Sequence, residues 1–348
     1  ARYYPLAIAR GQCLLFSPVT GCGVGVTWCI MGTPHAPSKH PMPLDPVEIA
    51  GRKILVTGPT GQVARPVVER LAGIADVYAL ARFRRPEDRE AIEKAGATVL
   101  QADLADAASL TDLPADFDYV LNFAVVKSGD FDYDLAANAE GVGNLMMHCR
   151  RARAFLHVSS TAVYEYAGHE PRREDAPLGD NHRAMFPTYS ISKIAAETVC
   201  RFVAHQHGIP ATIARLSVPY GDNGGWMYYH LLMMEQGIPI DLHPEGPNSH
   251  NPIHVDDYIE KIPRLLAAAR PEVTTLNFGG SQAVSIEEWC GYLQELTGLK
   301  PVFQENPGAF GSLRIDTDRM HDLIGETRVD WRQGILSQVR HLSPQLLR

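Results

Sequence analysis

KILVTGPTGQVA, at residues 53–64, decides the fold of this chain. Its first five residues predict a buried parallel strand, and residues 65–73 predict a helix. Gly58 permits the tight turn between them, and Gly61 lets the backbone approach a pyrophosphate at the helix N-terminus. Ala64 permits close packing of the helix on the strand. The stretch therefore predicts the start of a dinucleotide-binding unit, the alternative being an ordinary strand-to-helix turn. The turn residues expected to contact the cofactor are Gly58, Thr60, Gly61, Gln62 and Val63.

The chain continues with alternating strands and helices. Further strands are predicted near 76–81, 97–101, 119–123, 154–159 and 211–216, and helices near 62–73, 87–95, 133–151 and 188–207. This alternation predicts an α/β fold with a Rossmann-like, doubly wound parallel sheet and right-handed crossovers. We expect residues 51–221 to form the NAD(P)-binding domain with the catalytic residues. Residues 222–348 are predicted to form mainly a smaller substrate-binding lobe, with 251–262 returning to the first domain.

Residues 1–50 differ in composition from the rest. They hold seven of the 25 prolines, three of the six cysteines and five charged residues. Cys13, Cys22 and Cys29 lack the spacing of metal ligands. We predict a Pro-rich extension that the fold does not need. The other three cysteines fall in predicted helices and are typical of core thiols in a reduced, cytoplasmic protein.

Charge and hydropathy exclude two classes of partner. The net charge of −8 argues against a nucleic-acid surface. No run of 18 apolar residues occurs, so we expect no membrane-spanning helix. A small-molecule substrate is the expected partner.

Three residues carry the predicted chemistry. Tyr189 and Lys193 stand four residues apart in a predicted helix, so both side chains project from one face. That spacing is common by chance, and a packed Tyr with a surface Lys is the alternative. Ser160 ends a predicted strand, at the edge where ligands bind in open α/β sheets.

At this point the chain resembles the extended short-chain dehydrogenase/reductase family, which includes nucleotide-sugar epimerases and dehydratases. The resemblance covers about residues 52–340, and the matches follow the family's order. They are the Gly-rich turn, Asp103-Leu104, Asn122-Phe123-Ala124, Asn138 with Gly141 and Asn144, Ser160, Tyr189 with Lys193, Arg215, and His254-Val255-Asp256-Asp257. The resemblance implies that Ser160, Tyr189 and Lys193 are catalytic. It also implies a homodimer through the helices near 133–151 and 188–207.

The end of the second strand predicts the cofactor. NAD enzymes usually carry an acidic residue there, bonded to the ribose 2′-hydroxyl. Ala81 and Arg82 stand at that place, and Arg pairs well with phosphate. We predict NADP(H), with Arg82 as the main ligand of the 2′-phosphate and Arg84 or Arg85 assisting. NAD(H) is the alternative cofactor, and a solvated basic turn is the alternative interpretation of Arg82.

The resemblance implies further cofactor contacts along the chain. Asp103 and Leu104 match the adenine edge, whereas Phe123 and Ala124 match positions that line the cofactor. Val218 follows the sixth predicted strand and is expected at the cofactor as well. Lys127 stands where galactose epimerases carry a Lys that faces the cofactor, and a solvated loop Lys is the alternative.

The predicted chemistry is acid–base catalysis by a tyrosine. A free tyrosine has a pKa of about 10. An ammonium about 4 Å away favours the phenolate by roughly 4 kcal/mol at an effective dielectric of 20, which lowers the pKa by about three. We therefore expect Lys193 to lower the pKa of Tyr189. Ser160 is expected to bond the same substrate oxygen, and the resemblance implies that Lys193 also binds the nicotinamide ribose.

Departures from the family pattern narrow the reaction. The family's dehydratases carry Asp and Glu after the catalytic hydroxyl, where Thr161 and Ala162 stand. Its nucleotide-sugar epimerases usually bind the diphosphate with Asn and Arg, at places held by Val218 and the segment around His250. The sequence therefore favours an NADP(H)-dependent oxidoreductase acting on a small, partly apolar carbonyl or alcohol. A sugar or nucleotide-sugar epimerase is the first alternative. A noncatalytic NADP-binding sensor is the second, which the Ser, Tyr and Lys disfavour.

The substrate side is predicted from residue types and position alone. The candidate substrate contacts are Lys127, Thr161, Trp226 and His250. Further candidate wall residues are His182, Met185, Phe186, Met227, Tyr228, Tyr229 and His230, with packing in the core as the alternative.

Overall fold

The computed structural model describes residues 42–348. Most of the predicted extension, including Cys13, Cys22 and Cys29, lies outside the described residues. That this segment is dispensable stays a prediction.

The described chain joins the fold earlier than the predicted boundary at residue 50. The N–H of Leu44 donates to the carbonyl oxygen of Leu323 at 3.0 Å. Val47 and Ile49 pack against the core beneath the sheet. These apolar side chains cover core surface that would otherwise face water.

A parallel sheet of seven strands organises the described residues. Its first six strands are β1 (Lys53–Thr57), β2 (Asp76–Ala81), β3 (Thr98–Gln101), β4 (Tyr119–Asn122), β5 (Ala154–Ser160) and β6 (Ala211–Leu216). They pair in the order β3-β2-β1-β4-β5-β6, and every pair is parallel. The order reverses between β1 and β4, which creates the crevice in which ligands bind in doubly wound sheets. The predicted Rossmann-like fold is confirmed.

The remaining strands lie in the C-terminal part of the chain. They are β7 (Pro219–Tyr220), β8 (Ile240–Leu242), β9 (Ser249–His250), β10 (Ile253–His254), β11 (Thr274–Phe278), β12 (Val284–Ser285) and β13 (Phe303–Glu305). β11 pairs in parallel with β6 and forms the edge of the large sheet. This strand was not predicted, and its residues were expected to belong to the smaller lobe. Its TTLNF sequence carries two bulky apolar residues, Leu276 and Phe278, which is too few to stand out as a buried strand.

Helices cover both faces of the sheet. They are α1 (Ala64–Leu71), α2 (Pro86–Lys94), α3 (Phe131–Leu135), α4 (Gly141–His148), α5 (Tyr189–His207), α6 (Trp226–Gln236), α7 (Val255–Glu260), α8 (Ile262–Ala267), α9 (Ile286–Thr297), α10 (Asp318–Ile324) and α11 (Trp331–Leu342). A π-helical turn at Ala136–Glu140 joins α3 to α4. One core lies under α1, α7 and α8, and the other lies under α4 and α5. Within residues 42–348, no helix has the length and apolarity needed to cross a membrane.

The smaller lobe has a core of its own. α6, α9 and α11 bury Trp289, Leu231 and Ile335 together with their neighbours. Ser285 caps α9, since its side chain accepts from the N–H of Glu288 while the Glu288 carboxylate accepts from the N–H of Ser285. The start of α6 and the 306–312 loop bring the lobe to the C-terminal ends of β5 and β6, so its side chains face the end of the sheet where Ser160 lies.

Candidate active site

The turn after β1 accepts only glycine at its first position. Gly58 has a φ of +67°, and a Cβ there would lie 3.0 Å from the Cα of Ala124. The backbone of the turn therefore lies directly against the loop that follows β4, which leaves the backbone face of the turn accessible to a ligand.

Two cavities meet at this turn. The first, of about 400 Å³, runs from Gly58 along the ends of β2 and β3. The second, of about 420 Å³, runs from Gly58 to Ser160 and Tyr189. Two pockets joined at a glycine turn fit the two halves of a dinucleotide with its pyrophosphate at the turn. The residues present therefore fit a nicotinamide dinucleotide.

The structure brings the sequence-predicted cofactor residues together. Those lining the first cavity are Gly58, Thr60, Arg82, Asp103, Leu104 and Ala124. Those lining the second are Gly58, Gly61, Gln62, Val63, Phe123, Lys127, Tyr189 and Val218. Lys193 lies just behind the second, against Val158. Their contacts with a cofactor stay a prediction.

Arg82 is held at the far end of the first cavity. Its guanidinium donates to the hydroxyl of Tyr133 and lies 4.0 Å from the Asp103 carboxylate. Arg85 pairs with Asp88 at 2.6 Å, whereas Arg84 forms no ion pair within residues 42–348. Of the two predicted assistants, Arg84 is therefore the one with its charge available. The contact with Tyr133 was not predicted, because it joins β2 to α3 across 51 residues.

The predicted catalytic residues lie at the C-terminal end of β5. Lys193 is buried, and its Nζ donates to the carbonyl oxygen of Val158 at 2.9 Å. Burial lowers the pKa of Lys193 to about 8. The Ser160 Oγ accepts from the N–H of Ala162 at 3.1 Å, which leaves the hydroxyl hydrogen for another acceptor. Ser160, Tyr189 and Lys193 thus form one cluster, as the sequence analysis expected.

The predicted lowering of the Tyr189 pKa by Lys193 is wrong in this structure. Burial raises the pKa of Tyr189, and only the neighbouring Ser160 hydroxyl opposes that change. The ammonium of Lys193 is directed to Val158 and is itself desolvated, so burial of the phenol dominates. Tyr189 is therefore a neutral phenol at pH 7, which is the protonation state of an acid.

Lys127 belongs to the same cavity. Its Nζ lies 4.5 Å from the centroid of the Phe186 ring and 5.3 Å from that of Tyr189. Burial against these rings lowers the pKa of Lys127. The contacts favour the site interpretation of Lys127 over that of a solvated loop Lys.

Two buried side chains hold the loop that carries Lys127, and neither role was predicted. Asp134 accepts from the N–H and hydroxyl of Ser128 and from the Thr188 hydroxyl. Burial would raise the pKa of Asp134, but these hydrogen bonds outweigh it and hold the pKa below its usual range. Asn138 exchanges two hydrogen bonds of 2.7 Å with Val126. Because Thr188 precedes Tyr189, Asp134 joins the Lys127 loop to the start of α5.

The substrate candidates separate into two groups. Thr161, His182, Phe186, Trp226 and His250 line the catalytic cavity. Met185, Tyr229 and His230 line an adjoining cavity of about 300 Å³. Met227 is buried in the lobe core, and Tyr228 bonds Ser343, so neither lies on a wall of these two cavities. Phe310, which lines both, was missed because its loop has no periodic pattern.

Comparison with known proteins places the chain in a family. The model of the "NAD dependent epimerase/dehydratase family" matches residues 54–279, more than half of the chain. A dTDP-glucose 4,6-dehydratase of Mycobacterium tuberculosis is 27% identical over 302 residues, covering 78% of this chain and 83% of that protein. The dTDP-glucose 4,6-dehydratase of Streptomyces antibioticus is 25% identical over 257 residues, covering 68% and 74%.

Solved structures show the same fold. The UDP-glucuronic acid 4-epimerase of Bacillus cereus, solved with UDP-glucuronic acid and NAD, superposes with a TM-score of 0.71. The match covers 84% of this chain and 99% of that one at 19% identity, so it supports the fold alone. Because the family model spans the Gly-rich turn, Ser160, Tyr189 and Lys193, this chain belongs to the NAD-dependent epimerase/dehydratase family, the enzymes of the extended short-chain dehydrogenase/reductase type.

Proposed function

We propose that this protein is an NADP(H)-dependent oxidoreductase acting on a small, partly apolar carbonyl or alcohol, with Tyr189 as the acid–base group. One observation carries the proposal. Ser160 and Tyr189 line a cavity that is continuous at Gly58 with the dinucleotide cavity, and Lys193 is buried behind them. When bound, the nicotinamide supplies or accepts the hydride, and these residues handle the proton.

Each catalytic residue has a separate role. Ser160 donates its hydroxyl hydrogen to the substrate oxygen and orients the carbonyl. Tyr189, a neutral phenol because burial raises its pKa, gives that oxygen a proton during reduction. Lys193, with a pKa of about 8, is mostly cationic at pH 7, bonds the end of β5 at Val158, and binds the nicotinamide ribose as the family resemblance implies.

The number of proton-transfer groups favours this reaction over elimination. Besides Tyr189, the titratable side chains lining the cavity are Lys127, His182 and His250. Burial lowers the pKa of His182 to about 4 and that of His250 to about 3, so both are neutral and weakly basic at pH 7. Thr161 carries no carboxyl group. Hydride transfer at one carbon needs one acid–base group, whereas elimination needs a second.

The end of β2 supports NADP(H) over NAD(H). Ala81 ends the strand without a carboxylate for the ribose 2′-hydroxyl, and Arg82 lines the same cavity. The Bacillus cereus epimerase was solved with NAD, so NAD(H) is the alternative cofactor. The charge of Arg82 supports NADP(H) in our proposal.

Nucleotide-sugar epimerisation is the second candidate, and the relatives favour it. It would use the same Tyr189 and Ser160, with hydride returned to the opposite face of the sugar. Among the described residues lining the catalytic cavity, Lys127 alone is charged. Two phosphate groups would lose hydration there against one ammonium, which costs several kcal/mol. We therefore rank it second.

We also propose that the protein forms a homodimer. α4 and α5 are the helices that the family resemblance implies for the interface. Met147 and Phe202 on them are 37% and 63% exposed. Large apolar side chains at such exposure fit a surface that a second copy covers.

We also propose that the protein is cytoplasmic. Cys149, Cys200 and Cys290 are buried free thiols. Burial raises the pKa of each to about 12, so they are protonated and unreactive. Such thiols fit a reducing compartment.

A panel of substrates separates the two candidate reactions. We expect NADPH oxidation with ketones or aldehydes, followed at the nicotinamide absorbance. UDP-, GDP- and dTDP-sugars should show no micromolar binding by calorimetry with NADP(H) present. Interconversion of a nucleotide sugar without net change in nicotinamide would replace our proposal by the epimerase.

Tyr189→Phe should lower turnover about 10²- to 10⁴-fold, because it removes the proton donor. The affinity for NADPH should stay the same, since the ring remains. Lys193→Ala should reduce both turnover and NADPH affinity. Tyr164→Phe is the matched control, because it removes a buried tyrosine hydroxyl that bonds Asn277. We expect this variant to retain its turnover. Full activity in Tyr189→Phe would mean that another group carries the proton.

The reduction rate should fall as the pH rises through about 8. Lys193 is cationic below that pH, and its loss of charge weakens the hydrogen bonds by which it orients the nicotinamide ribose for hydride transfer. Single-turnover reduction at saturating NADPH measures the chemical step directly. Lys193→Arg, which keeps its charge, should move the fall to higher pH. A wild-type profile that stays level beyond about pH 10 would contradict the role of Lys193.

Arg82→Ala should weaken NADPH binding by about 10- to 100-fold and leave NADH binding unchanged. A charged contact to phosphate contributes on the order of 1.5–3 kcal/mol. Arg89→Ala, on the exposed face of α2 where Arg89 pairs with Glu93, is the control. Fluorescence titration gives the affinities of the wild type and of Arg82→Ala for NADPH and NADH. The same titrations are made with the control variant. Tighter binding of NADH than of NADPH by the wild type would rule out the assignment.

A further inference from the structure

The wall opposite Tyr189 is built from stacked rings. Phe310 lines the catalytic cavity and two adjoining ones, of about 290 and 300 Å³. The His182 ring stacks on Phe310 with centroids 4.1 Å apart. The Trp226 ring lies within 6° of parallel to Phe310 at 5.3 Å. The His182, Phe310 and Trp226 rings, which come from three separate segments, thus form one stack of rings that lines the cavity.

The imidazoles of this wall are uncharged. Burial lowers the pKa of His182 and of His230 to about 4. Burial also lowers the pKa of His250 to about 3, and the other two histidines add to this. Trp289 Nε1 donates to His230 Nδ1 at 2.9 Å, so that nitrogen is an acceptor. No grouping of His, Cys, Asp or Glu in residues 42–348 could hold a metal ion, so these histidines have another use.

One polar atom on this wall is left for a ligand. His250 is 3% exposed, and its Nε2 has no hydrogen-bond partner within the described residues. The same side chain lines the catalytic cavity and the adjoining one. A buried polar atom without a partner is unfavourable, and a ligand oxygen can supply the missing bond. A hydroxyl fits either tautomer of the imidazole, because it both donates and accepts.

The wall and the catalytic residues are close enough to hold one substrate. The His182 and Tyr189 rings have centroids 6.0 Å apart, and Phe186 lies 6.2 Å from Tyr189. A planar group lying against His182 therefore lies beside the Tyr189 side chain in the same cavity. The adjoining Asp180 and Arg183 neutralise each other at 3.1 Å, so they add no net charge.

We propose that the substrate is an aromatic ketone, or the corresponding secondary alcohol, that carries a hydroxyl on its ring. The ring lies against Phe310, Trp226 and His182, and the ring hydroxyl bonds His250 Nε2. The proposal rests on the oxidoreductase function above and defines its substrate class. In reduction the carbonyl carbon accepts the hydride and its oxygen accepts the Tyr189 proton, which yields the alcohol and oxidised nicotinamide.

Binding without turnover tests the substrate class directly. A ketone with NADP⁺ cannot react, so calorimetry on the NADP⁺-saturated protein gives an equilibrium affinity. The probes are cyclohexyl methyl ketone, acetophenone and 4′-hydroxyacetophenone, which add first the aromatic ring and then the hydroxyl. We expect acetophenone to bind about tenfold more tightly than the cyclohexyl compound. The hydroxyl should add about another fivefold.

Substitutions test which residue is responsible for each gain in affinity, that from the aromatic ring and that from the hydroxyl. Phe310→Leu keeps an apolar side chain and should reduce the preference for acetophenone by about three- to tenfold. His250→Phe should abolish the gain from the hydroxyl, whereas His250→Asn should keep part of it. Phe303→Leu makes the same change at an exposed ring on β13 and should alter neither preference. Melting temperatures establish that each variant is folded.

The outcomes separate this proposal from the function on which it rests. Equal affinity for the three ketones, or no binding of any, overturns the aromatic substrate. A retained preference in both Phe310→Leu and His250→Phe overturns the assigned wall. The predicted order of binding without any reduction by NADPH keeps the substrate class and refutes the oxidoreductase. Reduction of the cyclohexyl ketone as fast as acetophenone, lost in Tyr189→Phe, keeps the oxidoreductase and refutes the aromatic class.

Discussion

A buried ion pair beneath the active site holds the catalytic helix in place. Glu197 on α5 is fully buried and pairs with Arg215 on β6 through bonds of 2.8 and 2.9 Å. The Ser159 hydroxyl donates to the same carboxylate at 2.7 Å. Burial would raise the pKa of Glu197, but the bonds from Arg215 and Ser159 outweigh it and keep the carboxylate charged. Any slip of α5 along the sheet would leave a buried charge unpaired, which is strongly destabilising.

The catalytic geometry follows from that constraint. Lys193 and Tyr189 lie one and two turns before Glu197, on the same face of α5. Ser160 directly follows Ser159 on β5. The ion pair therefore sets the positions of Ser160, Tyr189 and Lys193 at once. Asp134 adds a second anchor at the helix start by bonding Thr188. The groups that handle the proton thus rest on the rigid part of the fold.

The local sequence pattern predicted most of the sheet and the clustering of Ser160, Tyr189 and Lys193. β1, β2, β5 and β6 are apolar runs buried on both faces, which a sequence displays directly. Tyr189 and Lys193 were found because a helical spacing places them together wherever the helix lies. The direction of the Tyr189 pKa change was not predictable, since it depends on burial by the lobe. Phe310, Tyr133 and Asp134 were missed for a related reason, because their contacts join distant segments and no local spacing marks them.

The departures from the family pattern lie at the end of β2, directly after Ser160, and on the wall of the cleft that carries Val218 and His250. The glycine turn and the catalytic cluster are retained, and Gly58 tolerates no side chain against Ala124. On the opposite wall, Val218, His250 and Phe310 offer no cation for a diphosphate. A cavity with one acid–base group, one ammonium and neutral imidazoles can support proton transfer at a single oxygen. It offers little stabilisation to a doubly charged substrate. In the function that we propose, the retained residues carry the hydride and proton transfer, and the altered residues select the substrate.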